Sequence, residues 1–443
     1  MSRLVQPTRI LVVGGGGREH ALAWKLAAEP GVNDVFVTMA GTAVLALPHV
    51  AGAAANPTSP EAVVRAARAH SVELVVIGPE AALAAGVADA LIEAGIPVFG
   101  PTASAARIES SKGFCREVAE AAGVPIARGR AFAQTDPSAA LAYAMGLDHD
   151  GRVVVKADGL AAGKGVTVCD SLDEAAQAIS GQPDAFIVEE RLRGREASVI
   201  ALCDGREAVA LPISRDHKRL GDGDTGPNTG GMGAYSPLPD LPDDEADAIL
   251  DRFHRPVLAE LARRGTPFRG ALYAGLMLTD EGPRLLEFNA RFGDPETQVI
   301  LPRLATPLAP WLLAAARGSL LSTASLPVLP GAVVGIVLAS AWYPREPDKD
   351  VVHEKIIALD NDGRLPDAPG VLVFHSGSFH EQPGTFLATG GRILTVVGQG
   401  PDLAAARATA EAAADRITWP GMQRRHDIGV AASEPAEPAG AAR

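Results

Sequence analysis

The chain is poor in cysteine. Only three cysteines, Cys115, Cys169 and Cys203, occur in 443 residues, and they are far apart. Zinc sites and disulfide frameworks require cysteines at short, repeated spacings. The sequence therefore argues against a disulfide-stapled secreted domain and a cysteine metal centre, and we expect the reducing environment of the cytoplasm.

Long apolar segments are also missing. The richest apolar run, residues 332–342, has the length of a strand and is interrupted by Gly335 and Ser340. A helix that spans a bilayer needs about 20 consecutive apolar residues. At the N-terminus, residues 10–13 are apolar but glycines follow at once, unlike the apolar region of a signal peptide. We expect no membrane association and a cytoplasmic location.

A surplus of positive charge is the third absence. Asp and Glu number 53 against 40 Lys and Arg, which gives a formal net charge of −13. A general nucleic-acid-binding protein carries a basic surface, so we expect no nucleic-acid partner. Lysines and arginines that bind an anionic ligand must then be gathered locally, in a cleft.

What is present is enough chain for roughly three domains. The residues are 47% hydrophobic and 21% charged, as in ordinary globular proteins. In the first hundred residues, short apolar strands alternate with helical stretches, which predicts an open parallel sheet with helices on its faces. From about residue 330, strands and one helix predict a small mixed α/β domain. The predicted elements are strands 10–13, 35–38, 74–77, 97–99, 333–338, 371–374 and 392–397, and helix 402–417.

Residues 153–166 carry the strongest local signal. Lys156 ends an apolar strand, and a loop of glycines and alanines with a second lysine, Lys164, follows. Bare glycine backbone lets N–H groups approach phosphate oxygens, and two ammonium groups neutralise the phosphate charge. A Walker A loop is excluded, because only three residues separate Gly159 from Gly163 and glycine, not Ser or Thr, follows Lys164. A flexible hairpin with solvated lysines is the plain alternative.

A possible metal site lies far downstream. Along a strand, side chains alternate between faces, so Glu287 and Asn289 point the same way while Leu286 and Phe288 pack behind them. Two oxygen ligands next to Arg291 suit Mg²⁺ held between a carboxylate and nucleotide phosphates. An ordinary polar strand edge is the alternative.

Residues 186–198 lie between these segments. They predict a strand, a turn at Gly194 and a second strand from Ala197. The connection offers backbone N–H and C=O groups to an adenine edge, and Glu196 can accept from ribose hydroxyls. Charged residues at a strand end are often only solvated, so this segment is weak evidence by itself.

The glycines at residues 14–17 follow the first strand and open a helix, whose N-terminus can hold an anion. An NAD-dependent oxidoreductase is therefore a rival interpretation. It fails twice, because Glu19 stands where G-x-G-x-x-G needs its third glycine, and because no acidic residue ends the second strand at residues 37–39. A tight turn without a ligand remains open.

Together these segments resemble the ATP-grasp superfamily and, more narrowly, the phosphoribosylamine–glycine ligase family. The resemblance extends from about residue 9 to about residue 429, and several of its motifs exceed ten residues. It rests on residues 156–165, 216–219, 224–237 and 288–297.

The resemblance implies a set of site residues. ATP would contact Lys112, Lys156, Gly163, Lys164, Gly165, Glu189, Glu190, Leu192 and Glu196. Mg²⁺, or Mn²⁺, would bind Glu287 and Asn289, and catalysis would involve Arg291 and Lys156. The other substrates would contact Gly16, Gly17, Arg18, Glu19, Glu80, Asp216, His217, Lys218, Arg291, Gly293 and Asp294.

The resemblance also implies the architecture. It comprises an N-terminal α/β substrate domain (1–105), an ATP-grasp domain (106–327) with a flap (124–192), and a C-terminal domain (328–430) packed beside the N-terminal one. A disordered tail (431–443) would follow. The implied reaction is ATP-dependent ligation of glycine to 5-phosphoribosylamine through glycyl phosphate, giving glycinamide ribonucleotide, ADP and phosphate in purine biosynthesis. ATP, glycine and 5-phosphoribosylamine would be the partners of a monomer, with a weak dimer as the alternative.

Two other functions remain open. A different ATP-grasp enzyme, either a carboxylase or another carboxylate–amine ligase, would share the ATP residues but not residues 216–237. A non-catalytic nucleotide-binding protein would be expected to lack Lys156 or the metal pair. An acidic residue found in some ATP-grasp enzymes aligns near Gly275, which implies fewer protein ligands for the metal. We expect His375 and Ser378, which flank a glycine turn, to be structural.

Overall fold

A five-stranded parallel sheet forms the N-terminal region. The computed structural model describes residues 4–159, 165–321, 325–345 and 353–430. The first elements are β1 (Arg9–Val13), α1 (Gly17–Ala27), β2 (Asp34–Val37), α2 (Thr42–Leu45), β3 (Val50–Gly52), α3 (Pro60–Ala69), β4 (Leu74–Ile77), α4 (Glu80–Ala84), α5 (Val87–Glu93), β5 (Val98–Phe99), α6 (Ala103–Ser110) and α7 (Lys112–Ala121). The strands are ordered β3-β2-β1-β4-β5, and every neighbouring pair is parallel. Because helices cover such a sheet, β4 is apolar throughout and β1 is apolar after Arg9.

A small antiparallel unit follows, with an apolar core of its own around Phe132, Val155 and Phe186. It contains β6 (Gly129–Phe132), α8 (Pro137–Leu147), β7 (Val153–Ala157), β8 (Val166–Val168), α9 (Leu172–Ser180) and β9 (Phe186–Glu190). The strand order is β6-β9-β7-β8. This unit falls within the predicted flap.

The central region is built on a second antiparallel sheet, ordered β11-β10-β16-β17. Its elements are β10 (Arg195–Asp204), β11 (Ala208–Ala210), β12 (Arg215–Asp216), β13 (Arg219–Gly221), β14 (Thr225–Asn228), β15 (Gly233–Ser236), α10 (Ala246–Ile249), α11 (Arg255–Arg263), β16 (Arg269–Thr279), β17 (Gly282–Asn289), α12 (Glu296–Ile300) and α13 (Ala309–Arg317). The flap sheet and the central sheet face each other across the cleft described below.

The C-terminal region shares a sheet with the central one. Its elements are β18 (Ala332–Ala339), β19 (Glu354–Ile356), β20 (Val371–His375), β21 (Ser378–Gln382), β22 (Thr385–Ala388), β23 (Arg392–Gly400) and α14 (Leu403–Ala414). The larger sheet is ordered β12-β15-β18-β23-β20, so two short strands from the central region extend it. The sheet crosses the predicted boundary near residue 328, and the domain limits stay a proposal.

The predicted fold class is confirmed, with local corrections. The sequence reading missed β3 and placed the second strand one residue late. The last helix ends at Ala414, earlier than predicted, and it begins one residue later because Asp402 is its cap, accepting from the Ala405 amide at 2.8 Å. The C-terminal region contacts the N-terminal one as predicted, since the His375 amide donates to His20 Nδ1 at 3.0 Å.

Two predictions concern the structure as a whole. None of the helices within the described ranges combines the length and the hydrophobicity that a bilayer crossing requires. The predicted disordered tail, residues 431–443, lies outside the described residues.

Candidate active site

A cleft of about 1200 Å³ opens where the three regions meet. Most of the predicted site residues line it: Arg18, Glu80, Lys112, Lys156, Gly165, Glu189, Glu190, Leu192, Glu196, Asp216, His217, Lys218, Glu287, Asn289, Arg291 and Asp294. Gly16, Gly17, Glu19 and Gly293 are not part of its lining. Gly163 and Lys164 lie outside the described residues. The structure thus brings distant motifs together, while their individual roles remain predictions.

The cleft has two parts. The ATP half comprises Lys112, Lys156, Glu189, Glu190, Glu287 and Asn289. The substrate half comprises Arg18, Glu80, Asp216, Lys218, Arg291 and Asp294.

Lys156 is held in place from two sides. On β7 its ammonium group forms an ion pair with Glu189 of β9 at 2.7 Å and donates to the Leu286 carbonyl at 2.9 Å. Arg116 of α7 holds the same carboxylate at 3.1 Å. Burial would lower the pKa of Lys156, but the Glu189 carboxylate outweighs burial and raises it. Lys156 therefore stays charged at neutral pH, and the side chain of Glu189 serves to orient it.

Lys112 lies at the first turn of α7, beside the start of the flap loop. Its ammonium group donates to the Gly159 carbonyl at 3.2 Å. The Asp158 carboxylate accepts from the Lys112 amide at 2.6 Å and from the Ser111 hydroxyl at 3.3 Å. An anionic side chain thus satisfies the exposed amides of the helix N-terminus. Asp158 was missed as a site residue, although it lies inside the lysine–glycine motif.

The predicted metal pair lies on β17, with one correction to its surroundings. A bulge in the pairing of β16 with β17 falls at Leu286, which is half-buried and turns its carbonyl to Lys156. Leu285 and Phe288 therefore pack in the core, and the prediction that Leu286 does so is wrong. Glu287 and Asn289 both line the cleft.

The donor set at Glu287 and Asn289 fits a hard cation. The Glu287 carboxylate makes no hydrogen bond or ion pair with another described residue. Burial disfavours its charge, but the ammonium groups of Lys218 and Lys156 outweigh burial and hold the pKa of Glu287 below its ordinary value. No group of three or more His, Cys, Asp or Glu within the described ranges could hold a metal alone. A cation here would need oxygen ligands from a bound nucleotide as well, as Mg²⁺ commonly does.

The two glutamates of the predicted adenosine contact have partners already. Glu190 accepts from the Arg128 amide at 2.8 Å and from its guanidinium at 2.6 Å. Glu196, at the start of β10, forms an ion pair with Lys218 at 2.7 Å. The Glu196 carboxylate therefore lies where the ATP half meets the substrate half.

Two more carboxylates of the cleft, besides Glu287, lack a cationic partner among the described residues. Neither Asp216 nor Glu296 forms an ion pair with another described residue, and Glu296 accepts only from the Ser198 hydroxyl, at 3.3 Å. Glu296 is only 3% exposed. Burial is the largest cause that raises the pKa of Asp216, to about 7. The charges of Glu296 and Glu196 add to this effect, and the ammonium group of Lys218 opposes it. The site is suited to a ligand that brings a positive charge.

Arg291 bridges two regions. Its guanidinium lies 3.3 Å from Glu80 of α4 and 3.1 Å from Glu109 of α6. Burial would lower the pKa of Arg291, but these two carboxylates outweigh it and raise the pKa further. Glu109 also accepts from the Ala290 amide at 2.7 Å, so it fixes the end of β17. Arg291 is therefore a permanent cation with planar donors in the cleft.

The N-terminal glycine loop supports Arg18 from behind. Glu19 accepts from the Gly16 amide at 2.7 Å, which satisfies one exposed amide at the start of α1, and it pairs with Arg18 at 2.6 Å. Arg18 in turn donates to the Phe292 carbonyl at 3.0 Å. A Cβ at Gly17 would lie 2.5 Å from the Ser376 hydroxyl, so Gly17 permits contact with the C-terminal region. Of these predicted substrate residues, the structure exposes only Arg18 to the cleft.

The loop after β17 is held by the C-terminal region. Arg392 of β23 pairs with the Asp294 carboxylate at 3.2 Å, and Gln298 donates to the same carboxylate at 2.8 Å. Burial opposes the charge of Asp294, but Arg392 outweighs it and lowers the pKa of Asp294. A Cβ at Gly293 would lie 2.5 Å from Glu296 Oε2, so Gly293 leaves room for that carboxylate.

A second arginine of the C-terminal region holds the hairpin β13–β14 at the mouth of the cleft. Arg425 pairs with Asp224 at 2.6 Å and with Asp427 at 2.7 Å. His217 lies 3.9 Å from Asp224. Nothing in the local sequence signals that Arg425 reaches Asp224 or that Arg392 reaches Asp294, because these partners lie about 100 to 200 residues away in the chain.

Other predicted features have simple structural roles. His375 is buried between the Ser378 hydroxyl at 2.6 Å and the Gly363 carbonyl at 2.8 Å, and burial lowers its pKa to about 4. The three cysteines are unpaired and buried.

The chain matches one family along almost its whole length. Residues 8–109, 110–297 and 333–431 match the N domain, the ATP-grasp (A) domain and the C domain of phosphoribosylglycinamide synthetase. A phosphoribosylamine–glycine ligase of Streptomyces coelicolor is 47% identical over 430 residues, which cover 96% of this chain and 99% of the relative. A trifunctional purine biosynthetic protein adenosine-3 of Gallus gallus is 41% identical over 433 residues, which cover 96% of this chain and 42% of that longer protein.

Solved structures agree at the level of the fold. A phosphoribosylamine–glycine ligase of Thermotoga maritima superposes with a TM-score of 0.76 at 32% identity, covering 95% of this chain and all of that one. A biotin carboxylase of Campylobacter jejuni reaches 0.68 at 15% identity, covering 96% and 95% of the two chains. The second likeness is one of architecture alone.

Proposed function

The chain belongs to the phosphoribosylglycinamide synthetase family, and on this premise we propose how its cleft joins glycine to 5-phosphoribosylamine. The protein is an ATP-dependent carbon–nitrogen ligase of purine biosynthesis. The observation that carries the residue assignments is that residues 216–237 and the ATP half contribute to one cleft, although they are far apart in sequence.

The reaction needs an activated carboxyl group, because a carboxylate does not acylate an amine at neutral pH. A glycine oxygen attacks the γ-phosphorus of ATP, the bond to the β-phosphate oxygen breaks, and ADP leaves. The amine of phosphoribosylamine then attacks the carbonyl carbon of glycyl phosphate, inorganic phosphate leaves, and the amine loses a proton. No side-chain nucleophile is required, and positioning with charge neutralisation supplies the catalysis.

In this proposal the ATP half binds the nucleotide. Lys156, kept charged and oriented by Glu189, and Lys112 neutralise the phosphates. Gly163, Lys164 and Gly165 would approach the phosphates through the flap loop, and Glu190, Leu192 and Glu196 would contact the adenosine. Since Lys112 now donates to the Gly159 carbonyl, phosphate binding would exchange that contact for a charged one.

Glu287 and Asn289 would hold Mg²⁺ or Mn²⁺. When bound, the cation neutralises charge on the ATP phosphates as the phosphoryl group transfers. The unpartnered Glu287 carboxylate among lysines supports this assignment.

The substrate half would hold the two reactants beside the γ-phosphate. The planar guanidinium of Arg291 suits the glycine carboxylate, and the unpaired carboxylates of Asp216 and Glu296 suit its ammonium group. With its pKa raised to about 7, Asp216 is also suited to take the proton that the attacking amine loses. Arg18, Glu80 and Asp294 would face the phosphoribosylamine.

We further propose that the chain acts as a monomer in the cytoplasm, with a weak dimer as the alternative. Its three reduced, buried cysteines support that location. Another ATP-grasp ligase or carboxylase is the competing function, favoured only by the shared fold with biotin carboxylases.

Release of ADP with each substrate omitted in turn tests the proposal. We expect no fast ADP release without glycine, and product only when ATP, glycine and phosphoribosylamine are all present. Full-rate ADP release without glycine, or product without phosphoribosylamine, would contradict it. Bicarbonate in place of glycine separates the ligase from a carboxylase.

A further inference from the structure

Arg392 connects two loops of the cleft through main-chain atoms. Its guanidinium donates to the Gly230 carbonyl at 2.7 Å and to the Asp294 carbonyl at 2.8 Å, and pairs with the Asp294 carboxylate at 3.2 Å. One rigid fork therefore fixes the distance between the loop around Gly230 and the loop around Asp294. The Arg392 side chain is 22% exposed and lines the cleft, so it lies at the site itself.

Tyr343 reinforces the same loop. Its hydroxyl accepts from the Gly230 amide at 2.7 Å. The Tyr343 ring packs against the residue before Arg392, since a Cβ at Gly391 would lie 2.6 Å from the ring. Both polar groups of Gly230 are thus bound by neighbouring side chains of the C-terminal region.

The two loops also touch each other directly. Gly231 has a φ of 111°, and a Cβ there would lie 2.5 Å from the Pro295 ring. A glycine is required at this contact, because another residue would strain the backbone at this φ and its Cβ would collide with the Pro295 ring. Because the two loops touch, movement of one would displace the other. Arg392 and Tyr343 hold both loops in place.

These contacts point toward one substrate. The loop that carries Asp294 is joined to Arg18 through the Phe292 carbonyl, on the side where the N-terminal region contributes to the cleft. By contrast, no hydrogen bond or ion pair among the described residues joins Lys112, Lys156 or Glu287 to the C-terminal region.

Resting on the proposed function, we propose that Arg392 and Tyr343 are positioning residues for the phosphorylated ribosylamine. They act through the loops at Gly230 and Asp294 and leave the nucleotide site unaffected. The C-terminal region then contributes to the choice of amine substrate, in addition to completing the fold.

Steady-state kinetics on the full chain test this role, with KM measured separately for ATP, glycine and phosphoribosylamine. For Arg392→Ala we expect the KM for phosphoribosylamine to rise about tenfold or more, because charged hydrogen bonds are lost, with the KM for ATP within about twofold of wild type. Arg392→Lys keeps the charge without the fork and should recover only part of the loss. Tyr343→Phe removes one oxygen and should raise the same KM by about threefold to tenfold.

Arg364→Ala is the matched control, since Arg364 is an exposed arginine of the same region. An equal rise of all three KM values, a rise confined to glycine, or an unchanged KM for phosphoribosylamine would overturn the proposal. If Arg392→Ala does not fold, Tyr343→Phe decides by the same criteria. Wild-type turnover in this assay tests the proposed function separately, whereas the ratio of variant to wild type tests the positioning role.

Discussion

The ATP half of the cleft lies within residues 112–289, whereas the substrate half joins residues of the N-terminal and central regions and is held by the C-terminal region. Contacts that fix the ATP half span modest distances in sequence, 47 residues between Lys112 and Gly159 and 130 between Lys156 and Leu286. In the substrate half, Arg18 reaches Phe292 across 274 residues. The nucleotide site thus depends on two facing sheets, and the substrate site depends on how three regions pack.

The two halves also differ in charge balance. Each lysine or carboxylate of the ATP half except Glu287 has a described partner that orients it, so the site is organised before ATP binds. By contrast, Asp216 of the substrate half and the neighbouring Glu296 form no ion pair with another described residue. A phosphate site whose side chains are already oriented suits a nucleotide, a ligand that many folds bind. Carboxylates without a cationic partner give selectivity for a substrate with an ammonium group.

The largest expected effect is in the ATP half, at Glu287. Glu287→Gln should lower kcat about a thousandfold or more, because the carboxylate that would hold the cation becomes neutral. The melting temperature should stay within about 3 °C of wild type, since Glu287 pairs with no described residue. ADP release and thermal unfolding measure the two quantities. Glu281→Gln, on the exposed turn before the same strand, is the control, and an active Glu287→Gln enzyme would refute the metal assignment.

Lys218 tests whether the halves are separate. Because it pairs with Glu196 and neighbours Asp216, Lys218→Ala should impair both halves, raising the KM for ATP and for glycine by about tenfold each. The exposed lysine Lys355 provides a control by the same substitution. If only the KM for ATP changes, Lys218 belongs to the ATP half and the comparison must be redrawn.

The charge of the Asp216 carboxylate should lower the free energy of unfolding, although the proposed function of the substrate half requires it. Its folded pKa of about 7 lies above the ordinary value of 3.8, so the free energy of unfolding falls as the pH rises from about 4 through 7. Asp216→Asn removes this dependence. At pH 8 we expect the variant to be more stable by about 1 kcal/mol or more and less active, with the stability gain shrinking toward pH 5.

Urea unfolding at several pH values measures this effect, and Asp280→Asn, at an exposed turn, is the control. A gain that is constant with pH would show that Asp216 ionises normally in the folded protein.

The smallest expected effect tests the position of the metal site. Gly275 pairs with Glu287 across the strands, and a Cβ at this position meets its neighbours at 3.4 Å or more, which is ordinary van der Waals contact. In the absence of ligands, Gly275→Asp should lower the melting temperature by a few degrees, because the two carboxylates repel each other. A loss of 1 kcal/mol lowers the melting temperature of a small domain by roughly 4–8 °C, and that of a longer chain such as this one by less.

Mg²⁺ with ATP should restore more stability to Gly275→Asp than to Gly275→Asn, which fills the same space without charge. Equal recovery in the two variants would place the cation elsewhere.

Much of the ATP half could be predicted because its residues occur in continuous motifs with a local physical meaning. Lys156 ends an apolar strand before bare glycines, and Glu287 and Asn289 alternate along another strand. The error at Leu286 arose because a bulge shifts the alternation, and a bulge depends on the partner strand. Asp158 and Glu296 lie within the motifs at residues 156–165 and 288–297, but only their contacts in the folded chain show what they do.

The amino-acid sequence alone predicted the alternation of strands and helices in the N-terminal region, the motifs of the nucleotide site and the family. These depend on hydrophobic periodicity and on residues close together in the chain. The packed chain was needed to show that Arg392 and Arg425 reach the cleft, and that Asp216 forms no ion pair with another described residue. Such relations involve residues far apart in sequence, so they arise from the packing of whole regions and leave no local pattern.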